Sequence, residues 1–353
     1  MKILVVSNLF PSKKAPYYGS FVKNFCDQLE KDGRVTKLEK VVLKGIHSNK
    51  IMKIYLYTVY YLKILYKTIF YHYDLIYVHL ISHSTIPLKF VNYFKKLNIV
   101  FNIHGEDLLV TTPLAKVLLK QSLPLVKQAQ HLVVPSNYFK KITKDYIPDY
   151  PEKKIIVSAS GGVKSIFCPV HDKISNEFKI GFVSRIDRGK GWNVLIEAIN
   201  ILEQKKIKIK VYIVGGGPQI GEMKALIDRY NLPDIRYIGP IAHDDLPDFY
   251  RSLDVFIFPT VLCESLGLVG LEAMACGVPV IGSNIGGLTD YITDGYNGFM
   301  FNPGDSTDLA DKIEKYYSLS YSEKEKFSER AVLTSKRYSD KKVASTLFDK
   351  ILQ

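Results

Sequence analysis

Cysteine is scarce: Cys26, Cys168, Cys263 and Cys276 are the four in 353 residues, and none stands at metal-ligand spacing from another. That pattern excludes a disulfide scaffold and a zinc-finger type of site, and it predicts reduced thiols in a cytosolic protein. The apolar run at residues 3–6 is too short for a signal peptide and reads as a first strand. Internal repeats, low-complexity tracts and disordered tails are missing, which removes solenoids and tethered arrays from consideration. No Asp-x-Asp occurs anywhere, so a closely spaced aspartate pair for a metal ion is absent. The segment 51–71 is long enough to span a bilayer, but Lys53, Lys63 and Lys67 and a series of tyrosines argue against it.

What is present points to an alternating α/β chain. A length of 353 residues exceeds a single core and predicts two domains. Apolar runs at 2–7, 74–78, 98–103, 132–136, 211–214 and 254–259 read as buried strands. Helical periodicity between and after them, at 20–31, 246–253, 268–275, 305–317 and from 322 onward, predicts parallel sheets covered by helices. On a helical projection of 51–71, Lys53, Lys63 and Lys67 fall within roughly an 80° arc, with Ile51, Leu62, Leu65 and Ile69 on the opposite side, so this segment is expected to be an amphipathic helix. Charge is shared unevenly. Residues 1–168 hold 25 Lys and Arg against 10 Asp and Glu, while 169–353 hold 23 against 25. The basic excess belongs to the first half alone and predicts an anionic partner there.

The organising stretch is 259–303. A short apolar strand closed by Pro259 leads through Glu264 and Gly267 into a helix-prone segment carrying Glu272, which Gly277 and Pro279 stop before the next strand. A strand, a loop and a helix N-terminus in that order present free N–H groups and the positive dipole end to a phosphate. Two carboxylates flanking that turn suit the vicinal hydroxyls of a ribose and a sugar, because each accepts paired hydrogen bonds.

Glu264 and Glu272 with seven residues between them, followed by Ala273-Met274-Ala275-Cys276-Gly277-Val278-Pro279-Val280 and the Gly286-Gly287-Leu288-Thr289-Asp290 turn, resemble the signature of the retaining nucleotide-sugar glycosyltransferases of family 4. The loop Arg185-Ile186-Asp187-Arg188-Gly189-Lys190-Gly191 is similar to that family's Gly-Arg-x-x-x-x-Lys-Gly loop, with Ser184 in place of the first Gly. The resemblance implies the GT-B fold, two doubly wound Rossmann-like domains facing a cleft. It places an acceptor-binding domain at 1–168 and a nucleotide-sugar domain at 169–335, with a C-terminal helix in 336–353 crossing back to the first. Arg185 and Lys190 then neutralise the diphosphate, Glu272 holds the ribose, and Glu264 holds the donor sugar. Leu266, Gly267 and Leu268 line the phosphate, Gly215 and Gly217 lie beside the nucleotide, and backbone groups from Gly239 to Ile241 hold the base. His104, at the end of the 98–103 strand, faces the donor sugar and acceptor; Asp107 reads equally as a helix N-terminal acid. Gly19 stands where relatives carry a Gly-Gly pair before the reaction centre, and Gly161-Gly162-Val163 resembles the Asn-Gly-Val near the domain junction. Arg188 has no assigned role.

The implied reaction moves a hexosyl unit from a nucleotide diphosphate sugar, UDP-linked on family frequency, to a hydroxyl of a saccharide or lipid-linked saccharide, with retention and with neither cofactor nor metal. Capsule, exopolysaccharide or O-antigen synthesis is the implied setting. A nucleotide-sugar 2-epimerase of the same architecture and a non-catalytic interaction protein remain open alternatives, while no nucleic-acid motif supports a nucleic-acid partner. Lys53, Lys63, Lys67, Lys95 and Lys96, interleaved with Tyr and Phe, are expected to dock a cytoplasmic protein peripherally on the anionic inner face of the cell membrane.

Overall fold

Runs of Val, Ile, Leu and Phe form two separate parallel sheets, and burial on both faces explains why these strands read as continuous apolar segments. The protein is described by a computed structural model covering residues 1–353 except 16–17, 46–48, 106, 111 and 170–176. Pro16, Tyr17 and Glu106 therefore lie outside the described residues. The chain divides into two units, Met1–Gly161 with Lys341–Gln353, and Gly162–Asp340.

In the first unit the strands are β1 (Lys2–Ser7), β2 (Lys37–Val42), β3 (Leu75–His79), β4 (Ile99–Asn102), β5 (His131–Val134) and β6 (Ile155–Val157), in the order β2-β1-β3-β4-β5-β6. The helices are α1 (Ser20–Leu29), α2 (Lys50–Phe70), α3 (Ile81–Phe94), α4 (Pro113–Val126) and α5 (Asn137–Tyr146), the last capped by Ser136. Strand order reverses between β1 and β3, so the carboxyl ends of these strands open a crevice of the kind where doubly wound sheets bind ligands. The final helix, α12 (Asp340–Ile351), contributes Leu347, Phe348 and Ile351 to the same core as Ile3, Val5, Leu75 and Tyr77.

The second unit carries β7 (Lys179–Val183), β8 (Lys210–Val214), β9 (Ile235–Gly239), β10 (Val255–Phe258), β11 (Val280–Ser283) and β12 (Gly298–Phe301), ordered β12-β11-β10-β7-β8-β9. Its helices are α6 (Trp192–Gln204), α7 (Ile220–Tyr230), α8 (Leu246–Arg251), α9 (Leu268–Ala275), α10 (Ser306–Tyr317) and α11 (Tyr321–Ser335). Here the reversal falls between β7 and β10, and the loops leaving those two strands are the ones that carry Lys190 and Glu264.

The unit boundaries differ from the expected 168 and 336. The Val163 amide donates to the Tyr338 carbonyl at 2.8 Å and the Asp340 amide to the Val163 carbonyl at 2.9 Å, while Arg251 Nε holds the Cys168 carbonyl at 2.8 Å. Those bonds tie 162–168 and 336–340 into the second unit.

Helix α2 departs more from the periodicity argument. Its buried stripe is Tyr60, Ile64 and Thr68, with Tyr60 Oη 2.7 Å from Ser84 Oγ. The side carrying Ile51, Leu62 and Ile69 faces solvent, with Leu62 59% exposed. Two of the expected docking lysines are committed elsewhere. Lys67 Nζ donates to Glu39 at 2.7 Å, which with Lys37 and Tyr73 holds that carboxyl low, at about 2. Lys95 Nζ donates to the carbonyls of Thr68 and Tyr71 at 3.1 and 3.0 Å. Lys53, Lys63 and Lys96 are exposed. Among the described residues, no helix is long and apolar enough to cross a membrane.

Candidate functional site

The second unit's site begins at a glycine. Gly191 caps α6 in the left-handed region (φ 80°), and a Cβ there would lie 1.7 Å from the Pro259 carbonyl oxygen. That close approach locks the Lys190 loop against the end of β10. Two further bonds complete the lock, the Val261 amide to the Gly189 carbonyl at 2.8 Å and Thr260 Oγ1 to the same oxygen at 3.2 Å. Lys190 Nζ then meets Glu264 Oε1 at 2.8 Å, and Thr260 Oγ1 stands 3.1 Å from that same oxygen. The side chains of Lys190 and Glu264 are 25% and 16% exposed, so the pair is largely desolvated yet accessible.

Glu264 is held from behind by its backbone, whose carbonyl accepts the Gly287 amide at 2.8 Å, and Gly286 and Gly287 have no room for a side chain beside the 264–266 backbone. Gly267 (φ 82°) caps α9, with its carbonyl accepting Tyr291 Oη at 3.1 Å. Leu266 is buried and Leu268 half-buried. The Gly270 amide turns back to the Gly267 carbonyl at 3.1 Å, and the amides before it have no carbonyl within the helix to bond.

Glu272 forms a second node. It is 6% exposed, with Oε1 2.8 Å from His243 Nε2 and Oε2 3.5 Å from Tyr250 Oη. The hydrogen bond to Glu272 raises the His243 imidazole above its ordinary value, and burial pushes the Tyr250 phenol well up. Arg185, by contrast, is exposed and paired with Asp187 at 2.7 Å, outside the Lys190–Glu264 contact. Gly215 and Gly217 press against the Ser184 and Ile186 carbonyls, and so brace the Arg185 loop. Gly239 (φ 89°) faces open space, with Ile241 half-buried two residues on.

In the first unit, His104 follows β4. Its backbone amide donates to Asp107 Oδ2 at 2.9 Å, its ring packs 4.4 Å from Phe21, and its Nε2 lies 3.0 Å from His79 Nδ1. Burial pushes His104 down to about 3 and His79 well below its ordinary value, so both rings are neutral at physiological pH. Gly19 (φ 70°) caps α1 in a close turn, where a side chain would overlap the Leu9 backbone.

Sequence reasoning missed Thr260, His243, Tyr250 and His79. Thr260 and His79 carried a usable signal, each lying at the carboxyl end of a strand beside a reversal of strand order. His243 and Tyr250 carried none, since they reach Glu272 across 29 and 22 residues. Among the described residues, no three His, Cys, Asp or Glu side chains gather where they could share a metal ion.

Comparison with known proteins gives the family and the fold. Residues 155–333 match the family model described as Glycosyl transferases group 1. The chain is 35% identical over 147 residues to the D-inositol 3-phosphate glycosyltransferase of Paenarthrobacter aurescens (strain TC1), covering 40% of this chain and 36% of that one. It is 35% identical over 148 residues to the capsular polysaccharide biosynthesis glycosyltransferase CapM of Staphylococcus aureus, covering 41% and 38%. The chain thus spans little more than a third of the length of either relative. Among solved structures, Anabaena Alr3699/HepE in complex with UDP is similar with a TM-score of 0.77 over 99% of both chains at 19% identity, a likeness of fold.

Proposed function

The chain belongs to the glycosyl transferases group 1 family, and from that premise we propose that it transfers a hexosyl unit from a UDP-linked sugar to a saccharide hydroxyl, with retention and without a metal ion. The observation that carries this reading is the Lys190–Glu264–Thr260 node beside the α9 N-terminus, with Glu272 buried one helical turn further on. A fixed cation next to free helix amides suits a diphosphate leaving group. Glu272, oriented by His243 and Tyr250, suits the ribose hydroxyls, and Glu264 the hydroxyls of the donor sugar.

In the reaction, the bond between the anomeric carbon and the diphosphate oxygen breaks. The acceptor oxygen bonds to the same face, and its proton passes to the departing phosphate. Lys190 and the α9 amides stabilise the charge that grows on the diphosphate, and Arg185 joins them by leaving Asp187. Release of UDP from a panel of UDP-hexoses should therefore continue in the presence of a chelator. A loss of activity on chelation, restored by magnesium or manganese, would mean the phosphate site is misassigned. Absence of release from every nucleotide sugar would remove the enzyme reading altogether.

We extend the reading to a lipid-linked acceptor reached from an anionic membrane surface. Support comes from α2, which turns Ile51, Ile54, Tyr55, Leu62, Tyr66 and Ile69 to solvent in the basic half of the chain. An exposed apolar face on a helix that also exposes Lys53 and Lys63 suits the headgroup boundary, with each lysine contributing about 1 kcal/mol near anionic lipid. Flotation with phosphatidylglycerol vesicles should recover the protein at low salt. Replacing Lys53 and Lys63 by Glu should reduce recovery, and Leu62→Asp with Ile69→Asp should abolish it, while UDP release persists. Wild type left unbound at low salt would mean a soluble acceptor.

A further inference from the structure

His79 does not belong to the donor-binding machinery of the second unit, yet its environment is unusually specific. It ends β3 at the strand-order reversal, is 1% exposed, and is walled by Phe25 edge-on at 4.9 Å, Tyr77 at 5.0 Å and Phe21 at 6.1 Å. Its ring is within 18° of parallel to that of His104, with centroids 5.3 Å apart and 3.0 Å between the facing nitrogens, a spacing that an end-to-end N–H···N bond gives. Its other nitrogen, Nε2, is buried and has no hydrogen-bond partner among the described residues.

That orphaned atom decides which ring donates. With both imidazoles neutral, one proton lies between His79 Nδ1 and His104 Nε2. If His104 supplied it, His79 would carry its own proton on Nε2, a buried N–H with no acceptor. If His79 supplies it, Nε2 is a bare lone pair, and buried unpaired acceptors are tolerated better than buried unpaired donors. The second arrangement leaves the proton of His104 on Nδ1, which no described residue partners.

We infer that His79 is a positioning residue that locks His104 as the Nδ1–H tautomer, so that His104 offers the substrate a hydrogen-bond donor and cannot serve as a general base. This rests on the reading of His104 as a substrate-facing group. It turns a generic strand-end histidine into one of fixed polarity, suited to a sugar hydroxyl or ring oxygen.

The test is nitrogen NMR of the full chain with 15N-labelled histidine, His104 being assigned by its loss in His104→Gln, alongside kinetics with the member of the UDP-hexose panel that wild type turns over fastest. Wild type should show His104 protonated on Nδ1. His79→Phe, which keeps the ring packing, should give a mixture of tautomers and lower kcat by roughly ten- to a hundredfold, with KM for the donor changed by less than about twofold. His79→Asn places an amide N–H where Nδ1 sits and should restore both the tautomer and most of the rate. A wild-type His104 protonated on Nε2 overturns the inference. So does a tautomer unmoved by His79→Phe, or one that moves with no change in rate. If wild type releases no UDP at all, the proposed function fails, and the tautomer of His104 alone then decides the role of His79.

Discussion

Lys190→Ala should lower turnover by about a hundred- to a thousandfold while Glu272→Ala mainly raises the donor KM, and the contrast follows from where each partner sits. Lys190 is held 2.8 Å from Glu264 by a loop that Gly191 fixes against Pro259. On the proposed reaction, a cation in that position meets a diphosphate whose charge increases as the glycosidic bond breaks, so its removal should cost transition-state stabilisation of the size seen for a single preorganised donor. Glu272 lies 6% exposed behind His243 and Tyr250, where it can reach a ribose that undergoes no change in charge. Losing it should weaken ground state and transition state alike, by roughly 1–3 kcal/mol. Part of the Lys190→Ala loss would come from leaving the Glu264 carboxylate beside the phosphates. Adding Glu264→Gln to Lys190→Ala should then recover part of kcat. Steady-state kinetics at saturating and subsaturating donor separate the two effects. Wild-type kcat in Lys190→Ala would remove the cation from the mechanism.

The second large effect concerns stability. Gly191→Ala should destabilise the second unit by about 3 kcal/mol or more, since it combines left-handed strain with a methyl carbon driven onto the Pro259 carbonyl. For a unit of this size that corresponds to a Tm lower by about 6–12 °C. Gly216→Ala is the internal control, because a Cβ there meets nothing within 4 Å and its φ is not positive. It should unfold within about 2 °C of wild type. Calorimetry of the full chain reads both, and equal melting of the two variants would show that the loop yields without cost.

The legible parts were those written in local pattern. The central strands of both sheets, and the turn from β10 into α9, follow from apolar runs, glycines and prolines adjacent in the chain. The edge strands β6 and β12, three and four residues long, are too short to mark themselves. β2 escaped notice because it is an edge strand, with Lys37 and Lys40 exposed and only Val41 buried, so no continuous apolar run marks it. His243 was invisible for another reason: its partner Glu272 comes from a different helix, and periodicity says nothing about which side chains fold onto a carboxylate. On α2 the two faces were separable from sequence, but which one packs was not. Tyr60 and Thr68 are polar enough to pass for surface, yet Tyr60 Oη meets Ser84 and Thr68 Oγ1 bonds the Ile64 carbonyl, so burial costs them little.

The return of α12 to the first core has a consequence for how the chain is made. Between the strands of the first sheet and Leu347, Phe348 and Ile351, which pack on it, the ribosome makes the whole of Gly162–Asp340. At ordinary elongation rates the gap is about 10–40 s. The second unit is contiguous and can close during that interval, while Ile3, Val5 and Tyr77 of the older sheet have Val22, Phe25 and Leu29 of α1 against them but not yet α12. Completion of the two cores is thus reversed from the order in which their first strands are made, because the second core needs only residues 162–340 and the first needs α12 as well.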